Sequence, residues 1–211
     1  MDVLPENTGI YRITHYQNLS FILDNGLHCA NSAEQDPEFI PIGFPTLVEH
    51  RNIRKVAIAP YGTLADYIPF YLAVKSPMLY VIYKGNDPEV IATPQEEIIY
   101  LVSTFGKLDE LGLQYVFTDR HAQLDYAKFF SSSKDLGKLN WELIKTHEWG
   151  RQYGPDRKEI KQAECLVYKH LPVEAIIGIG CYNDRIAGKV REIVSSYNVN
   201  IETKVKNNWY F

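Results

Sequence analysis

Strand-like segments in this chain arrive in pairs with short helices between them, which disfavours a doubly wound parallel sheet, where strands and helices alternate one for one. Ile10-Tyr-Arg-Ile-Thr14 alternates apolar and polar residues as a half-buried strand does. Asn18 as a cap, Leu19, Ile22 and Leu23 at helical spacing, and Asn25-Gly26 as a left-handed stop predict a helix directly after it. Val56–Ile58, Tyr67–Ala73, Glu97–Ser103, Tyr115–Thr118, Glu164–Tyr168, Ala175–Cys181 and Asn200–Val205 read as further short strands. Ser76-Pro77 starts a helix running to about Lys84; Lys107–Leu111 before Gly112 and Asp184–Ser195 read as two more. Asp156–Ala163 reads as a short charged helix or turn. The sum is an α+β chain with a split, two-sheet mixed arrangement and peripheral helices. No G-x-G-x-x-G is present, so a dinucleotide bound here is not held by a Rossmann turn.

At 211 residues the chain is long enough for one domain with its own core. Two stretches fall outside the strand and helix patterns. Residues Asn31–Phe44, with Pro37, Pro41 and Gly43, read as an ordered but adaptable loop, and Asp119 to Asp156 has no clear strand and reads as an insertion. The apolar runs Tyr67–Val74 and Met78–Tyr83 are far shorter than the ~20 residues of a membrane span, and no signal-peptide pattern opens the chain, so a cytoplasmic protein without membrane contact is expected. Three widely spaced cysteines fit reduced thiols, and no C-x-x-C or H-E-x-x-H suggests a metal. A net charge of −4 disfavours a constitutive duplex binder but leaves room for a local basic groove. The 15 Tyr, 9 Phe and 3 Trp serve either as core filling or as stacking platforms for bases and nicotinamide.

Three polar residues stand at positions suited to chemistry. Glu164 opens an apolar strand, where a carboxylate is either solvated or catalytic. Arg51 lies in Glu49-His-Arg-Asn-Ile-Arg-Lys55, either an anion-binding patch or a solvated helix face. His121 follows Phe117-Thr-Asp-Arg120 at a strand end, structural or functional, and Thr14-His15 at the end of the first strand leave the same choice. Read from residues alone, this is an α+β domain with a candidate Arg/Glu site.

Ile10-Tyr-Arg-Ile-Thr-His15 with Asn18-Leu19 and Asn25-Gly26, Tyr67-Ile-Pro-Phe-Tyr71, Ser76-Pro-Met-Leu-Tyr80, Phe117-Thr-Asp-Arg-His121, Lys161-Gln-Ala-Glu-Cys-Leu-Val167 and Trp209-Tyr-Phe211 occur in that order. Together they closely resemble the DarT family, DNA ADP-ribosyltransferase toxins of bacterial toxin–antitoxin systems. The resemblance implies an ADP-ribosyltransferase-like fold, NAD as co-substrate without a metal, and transfer of ADP-ribose to thymine N3 in single-stranded DNA within a short sequence context. It also implies a macrodomain antitoxin as partner. By motif, the catalytic glutamate falls on Glu164, with Arg51 and His121 beside it, and nucleotide contacts fall on Arg12, Ile13, Thr14 and Phe21. Residues 35–53 match the NAD-binding element and about 106–156 the substrate-recognition loop. Arg12 replaces a frequent histidine, and Lys75 an arginine, of the family pattern.

In that chemistry, loss of nicotinamide leaves an oxocarbenium-like ribose, which a carboxylate at Glu164 stabilises while handling the acceptor proton. Arg51 stays protonated and polarises a base carbonyl or holds phosphate, and His121 orients DNA or the base. Lys145, Arg151, Arg157, Lys158 and Lys161 are expected to form a basic rim around Glu164. Two other readings remain: an NAD-using enzyme acting on RNA, protein or water, and a non-catalytic nucleic-acid-binding module.

Overall fold

A computed structural model describes residues 4–44 and 46–211, with backbone alone for residues 46–48. The alternating first segment forms β1 (Gly9–His15), followed by α1 (Leu19–Asn25) and the two-residue β2 (Leu27–His28). Next come α2 (Thr46–Ile53), β3 (Tyr67–Tyr71), α3 (Pro77–Lys84), β4 (Ile98–Thr104), α4 (Phe105–Glu110) and β5 (Tyr115–Thr118). The second half supplies β6 (Phe129–Phe130), α5 (Trp141–Lys145), α6 (Arg157–Lys161), β7 (Glu164–Tyr168), β8 (His170–Leu171), β9 (Gly178–Cys181), α7 (Asp184–Ser195) and β10 (Glu202–Val205). Local chemistry sets several of these boundaries. Ser76 caps α3 by accepting from the Leu79 N–H at 3.2 Å, with Pro77 in the first turn.

Three expectations are revised. Val56–Ile58 is not a strand: the chain there makes only a bridge from Lys55 to Thr63 around a turn with positive φ at Tyr61 and Gly62. Asn18 does not cap α1, because its side-chain oxygen is committed elsewhere: Oδ1 accepts from Ile40 N at 2.9 Å, while Nδ2 donates to Thr14 Oγ1 at 3.0 Å and to Ile40 O at 2.9 Å. The stretch from Asp119 to Asp156 holds one short strand, β6, paired with β5.

Eight strands form one mixed sheet in the order β10-β9-β4-β1-β3-β7-β5-β6, and β2 pairs with β8 in a second, small one. This is the α+β, two-sheet architecture the sequence predicts, with very unequal sheets. Neighbours run antiparallel throughout the large sheet except β9 and β10. The large sheet is almost unzipped at its middle. β1 pairs with β4 along its whole length, whereas β1 and β3 share the single register pair Tyr11↔Tyr71. Arg12 spans part of the gap by donating from Nη1 to Pro69 O at 3.0 Å. That carbonyl faces the gap, so the N–H that Pro69 lacks falls on the same unpaired side and costs no ladder bond.

On β7 the period of two sorts side chains between faces. Cys165 and Val167 enter the main core with Phe70, Leu101 and Phe117. Leu166 packs on the opposite face with Val56, Leu64, Tyr67, Val116 and Ala122, and Glu164 shares that face. Some aromatics fill the interior: Tyr67, Phe70, Tyr100, Phe105 and Phe117 are fully buried. No described helix is long and apolar enough to cross a membrane.

Candidate active site

The split between β1 and β3 opens into a cleft of about 510 Å³. β1 contributes Arg12, Ile13 and Thr14, α1 contributes Phe21, and Arg51, His121 and Glu164 line it as well. The seven residues that the family resemblance places at the site therefore meet in one cavity, whereas His15 does not. The loop after β2 closes its outer side through Gln35, Phe39 and Ile42, held in place where Ile40 N donates to Asn18 Oδ1 at 2.9 Å and Gln35 Nε2 donates to Cys29 O at 3.1 Å.

Glu164 is 3% exposed and sits at the base. Its Oε2 accepts from Arg51 Nη1 at 3.0 Å, and its Oε1 accepts from the Ala122 N–H at 3.1 Å. Its own N–H donates to Thr118 Oγ1 at 3.1 Å, and that hydroxyl donates to Arg120 O at 2.6 Å. Backbone and both carboxylate oxygens are thus fixed before any ligand enters. Arg51 reaches the carboxylate from the last turn of α2. That helix end is bolted to the segment after β5 by Arg54, which donates to Leu124 O at 2.7 Å, Ala122 O at 3.3 Å and Asp125 at 3.0 Å. Arg51 is therefore not part of a solvated charged face.

His121 Nε2 lies 3.8 Å from Glu164 Oε1, near but outside hydrogen-bond distance. Burial pushes its ring below the usual histidine range; Glu164 pulls upward, and Arg51 and Lys158 add to the depression. The imidazole is consequently neutral at pH 7 and able to accept a hydrogen bond. His15 has a different fate: Nε2 sits 3.3 Å from Glu97 and Nδ1 accepts from Gln17 N, outside the cleft.

Burial, reinforced by the charge of Arg51, pushes the Arg12 guanidinium down to about 10. Arg12 Nε and Arg51 Nη2 are both buried without a hydrogen-bond partner. Two crowded guanidiniums with spare donors suit an anion, and a pyrophosphate fits that donor set better than any neutral group.

Tyr71, paired with Glu164 in the β3–β7 register, and Gln123, just past Ala122, also line the cleft; the strand pattern flags neither as functional. Burial and then the Glu164 charge push the Tyr71 hydroxyl up to about 12. The expected basic rim is only partly formed. Lys145, Arg151 and Lys158 are exposed, and Arg157 donates to Glu148 O at 3.2 Å. Lys161 is instead 1% exposed, donating to Val74 O at 3.0 Å and Ile144 O at 3.1 Å. It ties α5 to the exit of β3 and offers no charge to a ligand. Cys29, Cys165 and Cys181 are buried free thiols, and no group of three or more His, Cys, Asp or Glu side chains gathers into a metal site among the described residues.

A family model described as DarT, ssDNA thymidine ADP-ribosyltransferase, matches residues 11–211. A DNA ADP-ribosyl transferase from Thermus sp. (strain 2.9) is 39% identical over 209 residues, 98% of each chain. A solved structure of Thermus sp. 2.9 DarT in complex with ADP-ribosylated ssDNA superposes with a TM-score of 0.91 at 37% identity, covering 100% of this chain and 99% of that one. The corresponding complex with NAD+ gives a TM-score of 0.87 at 36% identity, covering 99% of this chain and 100% of the other. A more distant relative from Thermosipho africanus (strain H17ap60334), 24% identical over 199 residues, is a DNA ADP-ribosyl transferase–DNA ADP-ribosyl glycohydrolase fusion; the match covers 93% of this chain and 48% of the fusion.

Proposed function

We propose, from the premise that this chain belongs to the DarT family of ssDNA thymidine ADP-ribosyltransferases, that it transfers ADP-ribose from NAD to N3 of thymine in single-stranded DNA. One observation carries the assignment of roles: a carboxylate, a guanidinium and an imidazole converge in a cleft whose two arginines each keep a buried N–H without a partner. In this reading residues 35–53 and β1 hold the dinucleotide, with Arg12 and Arg51 against its pyrophosphate and Phe21 along its apolar surface. Residues from about 106 to 156 meet the acceptor strand.

The bond from ribose C1′ to nicotinamide breaks, and its electron pair leaves with nicotinamide. Positive charge grows on C1′ and its ring oxygen, where the fixed Glu164 carboxylate stabilises it. Thymine N3 gives up its proton, which Glu164 accepts, and forms the new bond to C1′. Arg51 holds Glu164 in position through Nη1 while Nη2 is free for phosphate or a base carbonyl, and His121 orients the base. Single-stranded substrate is favoured because its bases splay out to stack, and exposed Tyr126, with the Arg120 guanidinium 5.1 Å from its ring centroid, supplies an aromatic face and a cation.

The cellular role follows as a toxin acting on DNA in the cytoplasm, opposed by a macrodomain partner that removes the modification. The transferase–glycohydrolase fusion supports that pairing. The decisive experiment is mass spectrometry of oligonucleotides with and without thymine after incubation with the protein and NAD. An ADP-ribose mass increase confined to thymine-containing strands is expected. Nicotinamide release with label on water or protein alone would refute the DNA reading in favour of a glycohydrolase or protein transferase.

A further inference from the structure

Gln123 lines the cleft, yet no hydrogen bond engages its carboxamide, and Nε2 is buried without a partner. A buried donor with nothing to donate to is uncommon in a folded chain and calls for an explanation. Looseness of the segment does not supply one. Ala122, immediately before it, donates its N–H to Glu164 Oε1 at 3.1 Å, and Arg54 grips the carbonyls on both sides of it, Ala122 O and Leu124 O. His121 N donates to Glu159 O at 2.9 Å, and Leu124 N donates to His121 O at 3.1 Å. The carboxamide is thus carried on a turn clamped from two directions, by a residue that lines the cleft together with Glu164.

We propose that Gln123 reads the acceptor base, donating from Nε2 to a ring carbonyl next to the thymine nitrogen that attacks ribose. The proposal rests on the function assigned above and deepens it. Gln123 lies in the insertion assigned to the acceptor, whereas the spare guanidinium donors of Arg12 and Arg51 suit phosphate. An uncharged donor instead suits a neutral carbonyl. Thymine carries a carbonyl on each side of N3, and loss of the N3 proton spreads negative charge onto both oxygens. A donor already in place therefore binds the transition state more strongly than the ground state. Where that carbonyl is O4, cytosine is also rejected, because its C4 amino group sets donor against donor; at O2, which cytosine shares, it is not. Gln123 exchanges no proton: the N3 proton still passes to Glu164, and the nicotinamide bond still breaks with its electron pair on the leaving group.

The test compares wild type with Gln123→Ala and Gln123→Glu on three oligonucleotides carrying thymine, 2-thiothymine or 4-thiothymine at the target. Sulfur is the weaker acceptor, so one of the two thio substrates is expected to slow wild type at least tenfold. Gln123→Ala should lower kcat/KM on thymine about 100-fold, or about 2.7 kcal/mol, and treat all three bases alike. Gln123→Glu, which sets a carboxylate against the carbonyl, should fall further. NAD affinity by calorimetry should stay within threefold of wild type in Gln123→Ala. Equal thymine labelling by wild type and Gln123→Ala, or an undiminished thio effect in the variant, overturns the proposal. Failure of wild type to label any thymine strand instead overturns the assigned function itself.

Discussion

Replacing Glu164 by glutamine removes a negative charge while changing one atom, so it isolates what the carboxylate contributes. A carboxylate oxygen about 4 Å from a ribose carbon bearing one developing positive charge, at an effective dielectric of about 20, stabilises it by about 4 kcal/mol. At 1.36 kcal/mol per tenfold, the variant should transfer ADP-ribose about 10³-fold more slowly. The ground state changes as well. The wild-type carboxylate accepts from two fixed donors, Arg51 Nη1 at 3.0 Å and the Ala122 N–H at 3.1 Å. A carboxamide can satisfy only one and must turn its NH2 toward the other, a mismatch of ~1–3 kcal/mol in stability. Thermal melting and transfer to a thymine oligonucleotide, followed by mass spectrometry under single-turnover conditions, separate the two effects. A well-folded Glu164→Gln protein with a rate within tenfold of wild type would refute the electrostatic role given to this residue.

Arg51→Ala should abolish labelling of thymine strands, and Arg51→Lys should restore little, because a single ammonium cannot serve Glu164 and a second acceptor as a planar fork does; oligonucleotide labelling by both variants is the measurement. Lys161 has its ammonium pushed down to about 8, first by burial and then by Lys75. The unfolded chain then binds more protons than the folded one between about pH 8 and the ordinary lysine range near 10.5, so this residue makes stability rise with pH across that window. Chemical denaturation at pH 7.5 and 9.5 should show that gain shrinking in Lys161→Met relative to wild type; an identical pH response would contradict it. At Asp66, burial works against the charged form, but the Lys169 ammonium, the Thr63 N–H and the Asn31 carboxamide outweigh it and hold the carboxyl well below its usual range. Its contribution is present above the ordinary carboxylate range and is lost as pH falls below it, so Asp66→Asn should lower stability at pH 7 and narrow the gap to wild type near pH 3, as read by urea titration.

The parts of this site that the sequence made legible are those carried by local pattern. Glu164 opens a strand whose alternation puts it on the face of Leu166, opposite Cys165 and Val167, and at the strand's start it lines the cleft. The parts that were hidden depend on pairing between distant segments. Nothing local distinguishes Arg51, which meets a carboxylate 113 residues away, from Arg54, which satisfies carbonyls after β5. Lys161 follows Lys158-Glu-Ile and looks like one more surface cation, yet α5 and the exit of β3 enclose it. Asn18 looks like a helix cap because its spacing is right, but a nonlocal donor, the Ile40 N–H, takes the side-chain oxygen that capping needs. The near absence of pairing between β1 and β3 leaves one local trace, Pro69, whose missing N–H falls on the unpaired side of β3, while β1 has the composition of an ordinary sheet member.

That missing pairing explains why a chain with net charge −4 keeps two arginines crowded in its interior. A continuous ladder between β1 and β3 would leave no room for a dinucleotide, so the sheet surrenders backbone bonds there, and Arg12 recovers only one of the exposed carbonyls. The remaining arginine donors stand idle, and an idle buried donor costs the free protein about 1–3 kcal/mol each. The deficit is concentrated where the proposed pyrophosphate binds, so ligand entry satisfies those donors and relieves the repulsion between the two guanidiniums in one step. Rigidity elsewhere permits this. Glu164, Ala122 and Arg54 are already locked, so binding energy from the anion need not be diverted to assembling the carboxylate site and remains available for the transition state.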